Sequence, residues 1–136
     1  MMAGATRKKV KYYTEDQLRD GLAALQAASS MRLRDAAASQ AWSAPTVVLI
    51  SAPGPEAIPV LAGFTKGMKQ TFGERMAWHL DPARAGSQDL VWHIPPGSVP
   101  TAEDHLMQFI KVPGAACARE LAAYVKRMLS PRYNPR

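Results

Sequence analysis

Apolar and polar positions alternate along this chain in ways that predict where it forms helices and strands. Thr14-Glu15-Asp16-Gln17 opens the first element. Thr14 is placed to accept from the Gln17 amide while the Gln17 side chain reaches back, which is a capping box. Leu18, Leu22 and Leu25 follow at helical spacing and make one apolar stripe. Ser29-Ser30 interrupts the stripe, and a second helix is predicted over about 31–40, with Leu33, Ala36 and Ala37 inward and Trp42 closing it. After Pro45 the character changes. Thr46-Val47-Val48-Leu49-Ile50 is short, apolar and β-branched, the mark of a strand. Ser51-Ala52-Pro53-Gly54-Pro55 breaks it.

From about 56 to 72, Leu61, Phe64, Met68 and Phe72 recur at steps of three and four and predict a helix. Pro59 then falls near its first turn and Gly73 just past its end. Residues 76–80 and 90–94 nearly repeat each other, each alternating aliphatic, Trp and aliphatic against a histidine. That alternation predicts two paired strands with His79 and His93 on one face and Trp78 and Trp92 on the core side, joined by a hairpin loop over 81–89. Residues 105–112 predict another strand, with Met107 and Phe109 on one face. Pro113-Gly114 turns the chain into a last helix with Cys117, Leu121, Tyr124, Val125 and Met128 as its stripe, and Ser130-Pro131 ends it.

The expected fold is therefore α+β, a small antiparallel sheet packed on helices in α-β-β-β-α order over 56–129, with an N-terminal helical pair. The expected organisation is a basic flexible arm over 1–13, the helical pair over 14–44, the α+β domain over 45–130 and a basic tail over 131–136. A chain of 136 residues with 47% apolar content suits one ordinary domain with a packed core. The single cysteine, Cys117, excludes an intrachain disulfide and a Cys-rich zinc cluster. No apolar run approaches the roughly 18 residues of a spanning helix, so no membrane partner is expected. The N-terminus lacks the apolar core of a secretory signal. An intracellular place, cytoplasmic or nuclear, is expected. The Ala, Ser and Arg of residues 1–42 also leave organellar import open, against which Glu15, Asp16, Asp20 and Asp35 count.

Charge adds a further feature. Residues 1–14 carry Arg7, Lys8, Lys9 and Lys11, and residues 121–136 carry Lys126, Arg127, Arg132 and Arg136, with no acid in either stretch. These eight cations exceed the chain's net charge of +6, so the body between them nets to −2. Tyr12, Tyr13, Tyr124 and Tyr133 lie among the terminal cations. Flat rings beside cations suit a nucleic-acid backbone and its bases. Residues 7–48 resemble a pipsqueak-type helix-turn-helix module, found in some DNA-binding and transposase-derived proteins. A basic stretch leads into Tyr-Thr-Glu-Asp-Gln-Leu at 13–18, and Met31-Arg32-Leu33-Arg34-Asp35-Ala36-Ala37 is similar to the second helix. The family's Gly-Val-Pro turn and recognition helix are replaced here by Ala41-Trp42-Ser43-Ala44-Pro45-Thr46-Val47. The resemblance implies DNA contacts from this region, including Arg32 and Arg34. The order of elements over 56–129 also resembles double-stranded-RNA-binding domains, without their lysine-rich phosphate clamp at Pro113-Gly114-Ala115-Ala116-Cys117-Ala118-Arg119.

Other chemistry is thinly signalled. His79, His93 and His105 with Asp81 and Asp89 offer imidazoles and carboxylates for zinc or acid–base work, but their spacing fits no ligand signature. No glycine-rich nucleotide loop is present, and no cofactor or metal is implied. The leading expectation is a non-enzymatic nucleic-acid-binding or ribonucleoprotein-associated protein. Its expected contacts are Arg7, Lys8, Lys9, Lys11, Tyr12, Tyr13, Arg32, Arg34, Lys126, Arg127, Arg132 and Tyr133. One alternative is a structural subunit of a viral or organellar assembly, docked on protein neighbours. Another is a small enzyme using His79 and His93.

Overall fold

A computed structural model of the chain describes residues 12–134. The first capping box forms: the Gln17 amide donates to Thr14 Oγ1 at 3.1 Å, and the Thr14 amide to Gln17 Oε1 at 2.9 Å. Helix α1 (Glu15–Ala27) follows, burying Leu18 and Leu25. A two-residue strand β1 (Met31–Arg32) leads into α2 (Leu33–Ser39), and then into β2 (Thr46–Ser51), all six of whose residues are buried. Next come β3 (Pro59–Thr65), α3 (Phe72–Trp78), the single turn α4 (Leu90–His93) and a 3-10 turn at Ala102–Asp104. Strand β4 (Leu106–Lys111) and helix α5 (Ala115–Leu129) complete the order.

The strands make one antiparallel sheet in the order β1-β4-β2-β3. Both faces are covered, which is why the central β2 reads as unbroken apolar sequence rather than alternating. Val47, Leu49, Ala62 and Ile110 point to one side and pack against α1 and α5. Val48, Ile50, Leu61 and Met107 point to the other and meet Leu33 and Ala36 of α2, Phe72 and Met76 of α3 and Leu90 of α4. The fold is thus three layers, helices–sheet–helices. The two N-terminal helices go to opposite faces. The place of the recognition helix in the helix-turn-helix resemblance is occupied by β2, as its β-branched residues dictate.

The α+β class, with a small antiparallel sheet packed on helices and a helix first, is what the chain adopts. The expected order over 56–129 is not. Residues 59–65 form a strand, because Val60, Leu61 and Ala62 are needed on both faces of the sheet and Pro59 sits at an irregular strand start. Residues 76–80 and 90–94 are not strands. Thr71 and Glu74 make a second capping box that launches α3 and puts Phe72, Gly73 and Met76 inward. Trp78 and Trp92 therefore emerge at 37% and 62% exposure instead of in the core. With no strand pair, the double-stranded-RNA-binding order has no counterpart.

Past α5, Ser130 takes a left-handed conformation that stops the helix, and residues 131–134 turn back along β3. The Tyr133 amide donates to the Val60 carbonyl at 2.8 Å. The Asn134 side chain accepts from the Ala62 amide and donates to its carbonyl, at 2.7 and 3.0 Å. The outer edge of β3 is thereby capped, which blunts its capacity to recruit another strand. Among the described residues no helix is long and apolar enough to cross a membrane.

Candidate functional site

Thr46 at the start of β2 pairs with Thr65 at the end of β3 and with Lys111 at the end of β4, so three strands finish in one row. The segments leaving that row carry cations from distant parts of the sequence. Lys66 and Lys69 lie on the loop after β3, and both are exposed. Gly67 pins this loop: its φ is +71°, and a Cβ there would fall 2.2 Å from the Ala44 carbonyl carbon. Only glycine tolerates both conditions. Lys111 stands with its Nζ 4.1 Å from the centre of the Trp42 ring, and Trp42 stacks in turn on Phe72 at 4.6 Å. The Val112 amide donates to the Pro45 carbonyl, leading the chain over the rim into α5. The first turn of α5 holds no acid, and Arg119 lies 5.7 Å from the Phe64 ring.

None of Lys66, Lys69, Lys111 and Arg119 is within ion-pair distance of a carboxylate among the described residues. The acid closest in chain to the loop, Glu74, is engaged by Thr71, whose amide and hydroxyl hold its carboxyl below the ordinary value. The result is a rim of cations at one end of the sheet, with Lys111 over Trp42 on one face and Arg119 over Phe64 on the other.

The chain enters near the same rim. The Tyr12 and Tyr13 amides both donate to the Glu120 carboxylate at 2.8 Å. At 1.5 Å rise per residue, Glu120 lies about 7.5 Å down α5 from its start. Burial raises the Tyr13 phenol pKa, and the Cys117 thiol and Glu120 add to that. Arg7, Lys8, Lys9 and Lys11, expected as contacts, lie outside the described residues. The other expected contacts sit elsewhere. Arg32 pairs opposite Leu106, and Arg34 lies 3.4 Å from Asp104, both at the opposite end of the sheet. Arg132 is beside Pro59 at that same end, with its amide on the Pro59 carbonyl. Lys126 and Arg127 occupy the last turn of α5, Arg127 above the Tyr124 ring at 5.3 Å. Tyr133 is half-buried and stacked on His93 at 4.7 Å, so its ring is occupied. The fold thus divides the expected contacts between two ends. It also supplies four cations that spacing along the chain does not bring together.

The histidines do not share a face. His79 caps the end of α3 and is buried, with its Nδ1 accepting the Leu90 amide at 3.1 Å. Burial and the nearby Arg75 guanidinium lower its pKa to about 3, against the opposing pull of Asp89, so the ring is neutral. His93 Nε2 lies 2.7 Å from the Ser87 carbonyl, and His105 Nδ1 lies 2.8 Å from that of Thr101. The expected pair of His79 and His93 on one strand face is replaced by three imidazoles that each tie down backbone. Among the described residues no group of three or more His, Cys, Asp or Glu converges to hold a metal ion.

Asp89 is the hub of this region. Its carboxylate accepts from Arg75 Nη1 at 2.6 Å and from the Gly86 amide at 2.9 Å. Burial pushes its carboxyl up, but the Gly86 amide, Arg75 and His79 together hold it below the ordinary value. Comparison with known protein families, with curated proteins and with solved structures finds no match to this chain.

Proposed function

We propose that the protein binds nucleic acid without catalysing a reaction on it, and that the rim of Lys66, Lys69, Lys111 and Arg119 makes its phosphate contacts. The observation that carries this reading is four exposed cations at one end of the sheet, none of them ion-paired among the described residues. Lysines and arginines that neutralise phosphates release the counterions condensed on the nucleic acid. Lys11 is covalently next to Tyr12, so the basic N-terminal sequence joins the body close to this rim.

The test is fluorescence anisotropy of a labelled DNA duplex at several salt concentrations. Log affinity should fall steeply with log salt. In Lys66→Ala/Lys69→Ala/Lys111→Ala the slope should shrink by up to about three times 0.9, with the melting temperature nearly unchanged. An unchanged slope defeats the assignment of the rim. Association that is insensitive to salt favours the alternative of a subunit docked on protein neighbours.

A further inference from the structure

Between the end of α3 and the loop that leads into α4 lies an open hollow of about 420 Å³. Its walls include Arg75, Trp78, Arg84, Ser87, Gln88 and Asp89. We propose that this hollow receives one unpaired nucleobase, laid against the Trp78 indole, so that the preferred ligand is single-stranded nucleic acid. The inference rests on the nucleic-acid reading of the basic rim and names the strand state that reading leaves open.

Four features favour a flat, weakly charged guest. Trp78 is 37% exposed although an indole is ordinarily among the most deeply buried side chains. The Arg75 and Arg84 guanidiniums lie over the indole, 5.9 and 5.7 Å from its ring centre, adding planar cations on which a base stacks as it does on an aromatic ring. Arg75 is bonded to Asp89 and Arg84 lies 3.7 Å from Asp81, so the hollow is close to neutral and unsuited to a polyphosphate. The Gln88 amide is exposed and unbonded within the described residues, leaving donors and acceptors for a base edge.

The walls are also fixed in advance. Asp89 holds Arg75 on α3 and the Gly86 amide on the loop at once. His79 fixes the Leu90 amide behind them. Such a site binds without first ordering itself. A second exposed indole, Trp92 at 62%, follows within one turn, its amide bonded to the Asp89 carbonyl at 3.2 Å. Phe72 starts α3 beneath the rim. Trp78, six residues on, is about 9 Å along the helix. A strand with phosphates on the rim lysines reaches Trp78 with a base a few nucleotides further along. A duplex keeps its bases stacked inside and cannot.

The experiment compares an oligothymidylate single strand with a duplex of equal length, both labelled, on wild type, Trp78→Ala and Trp78→Phe. Wild type should prefer the single strand. Trp78→Ala should lose between about 5-fold and about 150-fold on it, the worth of one base stack, and be unchanged on the duplex. Trp78→Phe should recover most of the loss. As a check that needs no variant, oligothymidylate should shield wild-type tryptophan emission from acrylamide. Equal single-strand affinity of wild type and Trp78→Ala, or no shielding, overturns the hollow and leaves the rim standing. Wild type that binds neither nucleic acid overturns both.

Discussion

α1 and α5 close one face of the sheet with helices of 13 and 15 residues, whereas the other face is closed by α2, α3 and α4, of 7, 7 and 4 residues. The long helices need only an apolar stripe each. Leu18 and Leu25 meet Ala118, Leu121, Ala122 and Val125 in one cluster with no charged group inside it. The short helices cannot hold themselves, since a helix of one or two turns is unstable without tertiary support. They are stitched together by polar groups, side chain and backbone. Asp89 joins α3 to the loop, His79 joins α3 to α4, and the Gly73 amide donates to the Gln40 carbonyl to join α3 to the end of α2. A layer made by stripes is sensitive mainly to volume; a layer made by stitches, which also buries Phe72, Met76 and Leu90, is sensitive to charge as well.

The strongest way to break that contrast is to remove volume from the striped layer. Leu121 is 2% exposed, and its methyls press where a Cβ on Gly21 would stand at 2.9 Å. Leu121→Ala should cost roughly 2–5 kcal/mol in urea denaturation, with no change in its dependence on pH. Next comes a cut stitch. Asp89→Ala leaves the half-buried Arg75 without its partner and the Gly86 amide unsatisfied, and should cost about 2–3 kcal/mol. A loss under about 0.5 kcal/mol would show that the polar layer does not depend on its hub.

The third effect is smaller and belongs to pH. The folded-state pKa of His79, about 3, lies below the ordinary value of 6.5, so the unfolded chain takes up the proton first. Its contribution to stability is complete above about pH 6.5 and is lost as pH falls toward 3. At about 1.4 kcal/mol per unit within that window, wild type should lose about 2 kcal/mol between pH 7 and pH 5. His79→Asn should lose much less over the same interval. Equal losses would detach the pH response from this imidazole.

The same contrast explains what was legible in the sequence. Leu18, Leu22 and Leu25 repeat within one helix, as do Leu121, Tyr124 and Val125, so periodicity reports them faithfully. Leu61, Phe64, Met68 and Phe72 also repeat at helical steps, but they belong to three different settings. Leu61 and Phe64 face opposite sides of β3, Met68 stands 72% exposed on a loop, and Phe72 is the first residue of α3. The periodicity there is accidental. Thr71 and Glu74 carried the correct signal, the same box as Thr14 and Gln17, at a place where the apolar spacing pointed elsewhere. The rim had no signal at all. Lys66 and Lys111 become neighbours only because Thr46 pairs with both Thr65 and Lys111. The hollow likewise joins Arg75 to Asp89 across a loop whose closure no spacing announces.

The register of β2 has a consequence for how fast this chain finds its structure. Its pairing with β3 closes a loop of seven residues, 52–58, whereas its pairing with β4 joins partners 55 to 65 positions apart. Loop-closure entropy grows with length, and non-local pairing must be reached before it is rewarded. The β2–β3 hairpin is thus the early event. Half the sheet, with Lys111 and Arg119 of the rim, is expected to wait for the intervening short helices to collapse into place. Formation of the β2–β4 pairing is therefore expected to follow docking of the stitched layer, even though Lys66, Lys111 and Arg119 lie outside it.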